Sequence, residues 1–385
     1  MREVDLLVAG AGPAGCAAAL SARRAAAGAR VLVVDAACFP RDKPCGGALT
    51  GGGLREMERA GLALRVPHAT ATHAVLRVEG RAARVALARP AAVVRRSVWD
   101  ADLVAQVRAG GIEVVEGAPL RAIDLAGAPG RAGGVAETGA GPVAFRALVC
   151  ADGSGGPSRR LLGLPAGRRA PLREALLPRR GQEDLVFDLD AGVAGYAWRF
   201  PCVEGGSSVE NTGIYSMVGD PRLAPAHSRW MEAEGLAGPH PGAVQPWSLR
   251  LFDPSGPVGA GPALLAGDAL GADPLAGEGI RYALWSGRVA GSVAAGVLRL
   301  PPALAPGRWL AAAYRARLAA SRSGATLRLL CLLAPRLHGG ASRWRRIASD
   351  REVAEALGAL VSGLHPVPAV LRLLGRYRAL RRAPP

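Results

Sequence analysis

The chain begins with a residue spacing suited to holding phosphate. Gly10-Ala11-Gly12-Pro13-Ala14-Gly15 follows an apolar run, Val4–Ala9, and precedes an Ala-rich stretch that reaches about Ala27 and stops at Gly28. A second run, Arg30–Val34, ends at Asp35. Strand, glycine turn, helix, strand and acid in this order form the unit that binds a dinucleotide. Gly10 permits the tight turn, Gly12 lets a pyrophosphate reach the backbone, and Gly15 lets helix and strand pack closely. The helix start, with Pro13 and Ala14, offers N–H groups and a positive dipole end. Asp35 can accept hydrogen bonds from a ribose diol. A plain turn in an Ala-rich chain is one alternative. A signal peptide over Leu6–Leu20 is another, and Asp5, the glycines and the missing basic start argue against it.

Three later segments narrow the choice of dinucleotide. Phe39-Pro40-Arg41-Asp42-Lys43-Pro44-Cys45-Gly46-Gly47 follows the second strand. Leu148–Gly153 is a strand ending in Asp152-Gly153, with Ser158-Arg159-Arg160 behind it. Ala263–Asp268 ends in Gly267-Asp268 and leads through Asp273-Pro274-Leu275-Ala276-Gly277-Glu278-Gly279-Ile280 into a helix to about Leu298. Two distant strand-terminal Asp motifs do not suit a simple NAD dehydrogenase; they suit an extended flavin. With Arg96-Ser97-Val98-Trp99-Asp100 between them, these motifs resemble the FAD-dependent oxidoreductases of the p-hydroxybenzoate hydroxylase fold. The resemblance implies that Asp268 accepts hydrogen bonds from the ribitol or pyrophosphate side of FAD. It places Arg41, Cys45, Gly46 and Gly47 beside the flavin, and Arg96 near its phosphate or ribose. The Gly277-Glu278-Gly279 turn, with Ile280, would sit at the N1–C2=O edge of the ring. Asp152-Gly153 would lie near the flavin, in packing or in contact.

Gly195-Tyr196-Ala197-Trp198-Arg199-Phe200-Pro201 is similar to the YxWxFP motif of the geranylgeranyl reductase family. Cys45-Gly46-Gly47, the DPLxGEGI run, Ala283-Leu284-Trp285-Ser286-Gly287 and Asn211-Thr212-Gly213-Ile214 fit the same family. Tyr196, Trp198 and Phe200, at every second position, share one strand face. They read either as a sheet core or as the lining, with Pro201, of a pocket for a greasy substrate. The resemblance implies hydride transfer from reduced FAD to a polyprenyl double bond, with NAD(P)H or ferredoxin as reductant. Cys45 and Tyr196 are both candidate proton donors. The rival is an aromatic hydroxylase or halogenase on the same fold, although the halogenase WxWxIP motif is absent. A non-enzymatic binding protein is the weaker alternative, since the cofactor motifs are intact.

These motifs need elements to carry them. In a chain of 385 residues that is 50% hydrophobic but only 4% aromatic, the apolar content is Ala, Val and Leu, which suits helices and buried parallel strands. The expected architecture is α/β. A Rossmann-like FAD-binding domain with a parallel sheet (1–165 and 256–300) would carry an antiparallel-sheet substrate domain (166–255) and a basic helical C-terminal region (301–385). Val186–Leu189 and Ser207–Tyr215 read as substrate-domain strands, and Pro165–Gly181 reads as a connector. In the last region Trp309–Ala320, Thr326–Leu333, Val353–Leu360 and a basic amphipathic Val370–Leu380 read as helices.

Of 48 basic residues only Lys43 is lysine. Residues 301–385 hold fifteen Arg against Asp350, Glu352 and Glu355, so most of the net +17 lies there. Such a region suits an anionic membrane surface or is an ordinary solvated helical face; no nucleic-acid motif accompanies it. No apolar window is long enough to span a bilayer. The six cysteines form no CxxC pair and the histidines show no metal spacing. Cys16, Cys38, Cys150, Cys202 and Cys331 read as structural. The expected setting is cytoplasmic, at the inner face of the membrane, with a hydrophobic small molecule or lipid as substrate and no metal.

Overall fold

The computed structural model describes the chain except for residues 79, 127–132, 179, 237–243, 300–306, 338–349, 363–367, 370 and 376–385. Strand β1 (Arg2–Ala9), helix α1 (Pro13–Ala25) and strand β2 (Val31–Val34) open it. Then come β3 (Ala48–Leu49), α2 (Gly51–Ala60), β4 (His68–Val78), β5 (Arg81–Val94), α3 (Arg96–Ala109), β6 (Glu113–Val115), β7 (Leu120–Asp124), β8 (Gly134–Thr138) and β9 (Gly141–Cys150). The middle holds α4 (Ser158–Leu161), β10 (Arg169–Pro178), β11 (Leu185–Asp188), β12 (Gly195–Glu204), β13 (Ser207–Ser216), α5 (Leu223–Ala233) and β14 (Gln245–Arg250). Strands β15 (Gly259–Ala260) and β16 (Ala263–Leu265) precede α6 (Ile280–Leu298), α7 (Gly307–Ala320), α8 (Arg322–Leu337) and α9 (Arg351–Ser362).

In the first sheet β6, β2, β1, β9 and β16 lie side by side and parallel. Leu6, Leu7, Val8, Leu32, Val33, Leu148, Val149 and Leu264 are fully buried. Unbroken apolar strands of this kind belong in a sheet covered on both faces. The second sheet runs β14-β10-β13-β12-β11-β4-β5-β3. Its pairs are antiparallel except β11 with β4, which is parallel. Each layer therefore has its own core, with Trp198, Phe200 and Tyr215 among the buried residues of the second.

The architecture is the expected α/β arrangement, with three differences of detail. Residues 48–94 supply β3, β4 and β5 to the second sheet, although the sequence reading placed them in the first domain. They pair with one another, and β4 ties them to β11 about a hundred residues away, with Val75 opposite Val186, which no local signal reports. Arg169–Pro178 is a central strand rather than a connector: Ala170, Leu172, Ala175 and Leu177 are buried along it, and Pro171 stands opposite Ser248 without breaking it. The C-terminal region is helical, as expected, but it is not a detached appendage. Leu310, Tyr314, Leu327, Leu333 and Val353 belong to the main core. The Tyr314 hydroxyl donates to the carbonyl of Leu265 at 2.9 Å. Of the expected Val370–Leu380 helix, residues 371–375 are helical and Val370 and 376–380 lie outside the described residues.

Helix α6 packs against α1 at unusually close range. A Cβ at Gly287 would collide with the carbonyl of Ala14, and one at Gly291 with that of Ala18. The glycine pair, four residues apart on one helix face, brings the two backbones together. Replacing Gly291 by Leu should therefore cost about 1–3 kcal/mol or more through overpacking. Gly296, on the same helix, meets nothing within 4 Å, so Gly296→Ala should be neutral or slightly stabilising. Urea midpoints of the two variants against the parent check the contrast. Equal midpoints would contradict the packing argument.

Candidate active site

One cavity of about 570 Å³ runs between the layers, within the size range of cofactor and ligand sites. The glycine turn forms part of its wall. Gly10 has φ +106, and a Cβ there would strike the Ala151 carbonyl; one on Gly15 would strike the Gly10 carbonyl. Gly12 faces the cavity, where a Cβ would come no nearer than 3.4 Å, to Arg41 Nη2. Helix α1 starts at Pro13 without a side-chain cap. Its first N–H groups and dipole remain available to an anion. Asp35 lines the cavity, and its carboxylate accepts from Ala11 N at 2.6 Å and Ala37 N at 2.8 Å. It braces the turn and keeps lone pairs for a diol. The uncapped helix end, the open space over Gly12 and the cationic Arg41 fit a dinucleotide pyrophosphate.

The middle of the cavity is strongly polar. Lys43 Nζ lies 2.6 Å from Asp268 Oδ2, and Asp268 is only 7% exposed. Burial opposes the charge of Asp268, but Lys43, with Arg96 and Arg250, outweighs it and holds the carboxyl below its ordinary range. Arg96 forms a two-pronged pair with Asp100, both distances 2.8 Å, and Arg41 reaches the same carboxylate at 3.0 Å. Burial works against the Arg96 charge, and Asp100 and the Cys45 thiol beside it raise its pKa nevertheless. Asp152 accepts from Ser158 N at 2.8 Å and Ser158 Oγ at 2.6 Å, so its carboxylate caps α4.

A hydrogen-bond chain ties the Cys45 loop to the second sheet. Cys45 N donates to Glu174 Oε2 at 2.6 Å, while Asn211 Nδ2 donates to Cys45 O at 2.9 Å and to Glu174 Oε1 at 2.5 Å. Trp198 Nε1 donates to Asn211 Oδ1 at 2.8 Å. The glycines that follow serve this packing. A Cβ on Gly46 would stand 2.9 Å from the Phe200 ring, and one on Gly47, at φ +70, would hit the Val94 carbonyl. Both still line the cavity.

Tyr196, Trp198 and Phe200 line the cavity together from β12. Phe187 packs edge-on against Tyr196 and Phe200, with centroids 5.4 Å and 5.1 Å away, and Tyr215 lies 5.6 Å from Tyr196. Pro201 is buried opposite Glu210 and is not among the cavity residues, because successive strand side chains alternate faces. The Tyr196 hydroxyl donates to the Ala276 carbonyl at 2.5 Å, and burial pushes its pKa far up. Across from the wall lies the turn before α6. Asp273 accepts from Leu275 N at 2.8 Å and Ala276 N at 3.0 Å, and Thr50 Oγ1 donates to Glu278 Oε1 at 2.6 Å. Gly267, Gly277, Glu278, Gly279 and Ile280 all line the cavity.

The candidate cofactor, substrate and proton-donor residues, apart from Pro201 and Gly15, therefore meet at one cavity. Lys43, Glu174 and Asn211 were not among the site residues. The signals were present: the one lysine lay inside a motif, and an acid sat in an apolar strand, APLREALLP. All six cysteines are free, and among the described residues no cluster could hold a metal.

The FAD-dependent oxidoreductase family matches residues 5–156. The menaquinone reductase of Mycolicibacterium smegmatis is 31% identical over 320 residues, covering 75% of each chain. Digeranylgeranylglycerophospholipid reductase 2 of Methanopyrus kandleri is 31% identical over 317 residues, covering 76% of this chain and 77% of its own. A geranylgeranyl bacteriochlorophyll reductase-like protein of Thermoplasma acidophilum superimposes with TM-score 0.78 over 98% of this chain and 100% of its own, at 20% identity.

Glu174 makes the site sensitive to pH. Burial pushes its pKa up to about 7 despite the bonds from Cys45 and Asn211 and the charge of Arg95. A carboxyl raised on folding binds more protons in the folded chain between its ordinary value of 4.5 and about 7, so stability falls as pH rises through that window. Glu174→Gln should remove a fall on the order of 2 kcal/mol between pH 5 and 7. Asp273, also pushed up to about 7 by burial and by Glu278, should retain its share. Denaturation at pH 5, 6 and 7 checks this, and an undiminished pH slope in the variant would refute it.

Proposed function

Because this chain belongs to the geranylgeranyl reductase family of FAD-dependent oxidoreductases, we propose that it reduces carbon–carbon double bonds in the polyprenyl chain of a quinone or related lipid. One observation carries the reading. The Tyr196–Trp198–Phe200 wall lines the same cavity as the phosphate-binding turn and the start of α6. An apolar chain laid on that wall would lie beside the cofactor. The relatives named for menaquinone and for a digeranylgeranyl lipid support a prenylated substrate.

FAD, when bound, supplies the hydride. The residues suited to holding it are Gly10, Gly12, Pro13 and Ala14 at the pyrophosphate, Asp35 at the ribose, and Arg41, Lys43 and Asp268 along its middle. The N–H groups at the start of α6 would favour negative charge on the ring. Tyr196 is a poorer proton donor than its position suggested, because its hydroxyl proton rests on the Ala276 carbonyl. The Cys45 thiol, whose sulfur accepts only a long 3.5 Å bond from Gly47 N and lies beside the Arg96 guanidinium, is the better candidate. The Glu174–Asn211 chain then serves to hold Cys45 in place. An oxygen-using enzyme of the same fold remains the rival, since fold does not fix chemistry.

Access of a membrane-dissolved substrate would come from the C-terminal region. Trp309, Leu332 and Leu371 are large apolar residues more than half exposed there, amid arginines. Among the described residues no helix is long and apolar enough to cross a membrane. These features support docking on an anionic lipid surface.

Two experiments test the proposal. The purified protein should carry FAD. After anaerobic reduction with dithionite, adding a menaquinone should restore the oxidised flavin spectrum and yield a product that stays two hydrogens heavier after air has reoxidised its ring, which places the added hydrogens in the chain and not on the quinone. Cys45→Ala should slow that reoxidation about a hundredfold with FAD content unchanged. Reduced flavin that ignores every prenyl compound but consumes oxygen faster with an aromatic one would establish the rival. In sedimentation with vesicles, the protein should bind phosphatidylglycerol vesicles and leave neutral ones, and about 0.5 M salt should release it. Equal recovery from both vesicle types would remove the membrane reading.

A further inference from the structure

Arg281 and Tyr282 follow the first residue of α6, line the cavity, and are 4% and 2% exposed. Two of their donors, Arg281 Nε and the Tyr282 hydroxyl, are buried and make no hydrogen bond within the protein. The guanidinium reaches Glu278 Oε2 only at 3.4 Å through Nη1, too long for a strong charged pair. Buried donors without partners are rare in folded proteins, and two side by side in the lining of a cavity call for an acceptor there.

The surroundings are shaped for this arginine. Helix α2 begins Gly51-Gly52-Gly53, and a Cβ on Gly52 would stand 2.9 Å from Arg281 Nε and 3.1 Å from Cζ. Any side chain at that position would press on the guanidinium. The Arg281 Cζ lies 5.1 Å from the centroid of the Tyr282 ring, which meets Trp285 edge-on at 6.0 Å. Leu330 and Leu360, from α8 and α9, also line the cavity. The result is an apolar, aromatic wall carrying two donors and calling for an oxygen acceptor.

Charge decides which acceptor. Burial works against the Arg281 charge, but its neighbours Tyr282, Glu278, Glu56 and Asp273 outweigh burial and hold it cationic. Glu278 Oε2 already faces the guanidinium at 3.4 Å, while Glu56 is engaged by Arg59 and Arg288. A phosphate would be repelled by the Glu278 carboxylate in a poorly solvated space, whereas a neutral carbonyl oxygen accepts the same hydrogen bonds without that repulsion.

We propose that Arg281 and Tyr282 form a head-group pocket that holds a carbonyl oxygen of a quinone ring. This rests on the reading of the cavity as a prenyl-lipid site, and it leaves the Tyr196–Trp198–Phe200 wall to the chain. Fixing the ring at one end would determine which double bond lies at the flavin.

Binding to the FAD-loaded protein tests it, read by quenching of tryptophan fluorescence in detergent. The ligands are a short-chain menaquinone, geranylgeraniol, which has a chain and no ring, and geranylgeranyl diphosphate. Arg281→Gln should weaken menaquinone about tenfold and Tyr282→Phe about threefold, with geranylgeraniol unchanged in both. Retained FAD reports folding, and Tyr282→Phe, which keeps its ring, decides the matter if Arg281→Gln loses FAD. Unchanged menaquinone affinity, or equal losses for geranylgeraniol, would overturn the head-group pocket while leaving the prenyl reading intact. A loss confined to the diphosphate would assign the site to phosphate instead. A parent protein that binds neither menaquinone nor geranylgeraniol would bring down the prenyl reading, and this pocket with it.

Discussion

The close crossing of α6 over α1 is the constraint on which the site depends. With no side chains at Gly287 and Gly291, α6 rests on the backbone of α1 at Ala14 and Ala18. Both helices begin at the same cavity, at Pro13 and Ile280. Two N-terminal dipole ends therefore meet in one space, where each favours negative charge. A wider crossing would separate the glycine turn at one end of the cavity from the turn at Gly277–Gly279. The same crossing carries Gly267 and Asp268 against α1, since a Cβ on Gly267 would come within 2.7 Å of Ala14 Cβ.

The second layer is fastened to the first by polar groups rather than by apolar contact alone. Glu174 and Asn211 come from adjacent strands of one sheet and grip the backbone of Cys45 on both its N–H and its carbonyl. Lys43, two residues earlier, grips Asp268 of the other layer. One loop is thus held from both sides. Buried polar networks of this kind are costly when incomplete and specific when satisfied. The loop that carries the candidate proton donor therefore has little freedom to drift.

Much of this was legible in the sequence where the signal was local. The glycine turn, the alternating Tyr196, Trp198 and Phe200, and the Gly267-Asp268 strand end all depend on residues a few positions apart. What stayed hidden depends on pairing across the chain. Nothing near Glu174 announces that Cys45 will be its partner, 129 residues away. Nothing in His68–Val78 shows that it will join Leu185–Asp188. The motif marks Gly46 and Gly47, but the obstacles they avoid are Phe200 and Val94, which only folding brings near. Asp35 shows the reverse: its place was legible, its bond to the Ala11 amide was not.

The order of strands along the chain has a consequence for synthesis. The chain enters the first sheet with β1 and β2, leaves it for β3–β5, returns for β6–β9, leaves again for β10–β14, and comes back for β15 and β16. Neither layer is a continuous stretch that a ribosome could release and let close by itself. Strand β16, Asp268 and α6 emerge after every strand of the second sheet, so the βαβ unit made first waits with an unfinished neighbour for most of translation. Cofactor capture then belongs to the last stage of the nascent chain's life, and the flavin would take hold of a polypeptide whose two layers are already interleaved.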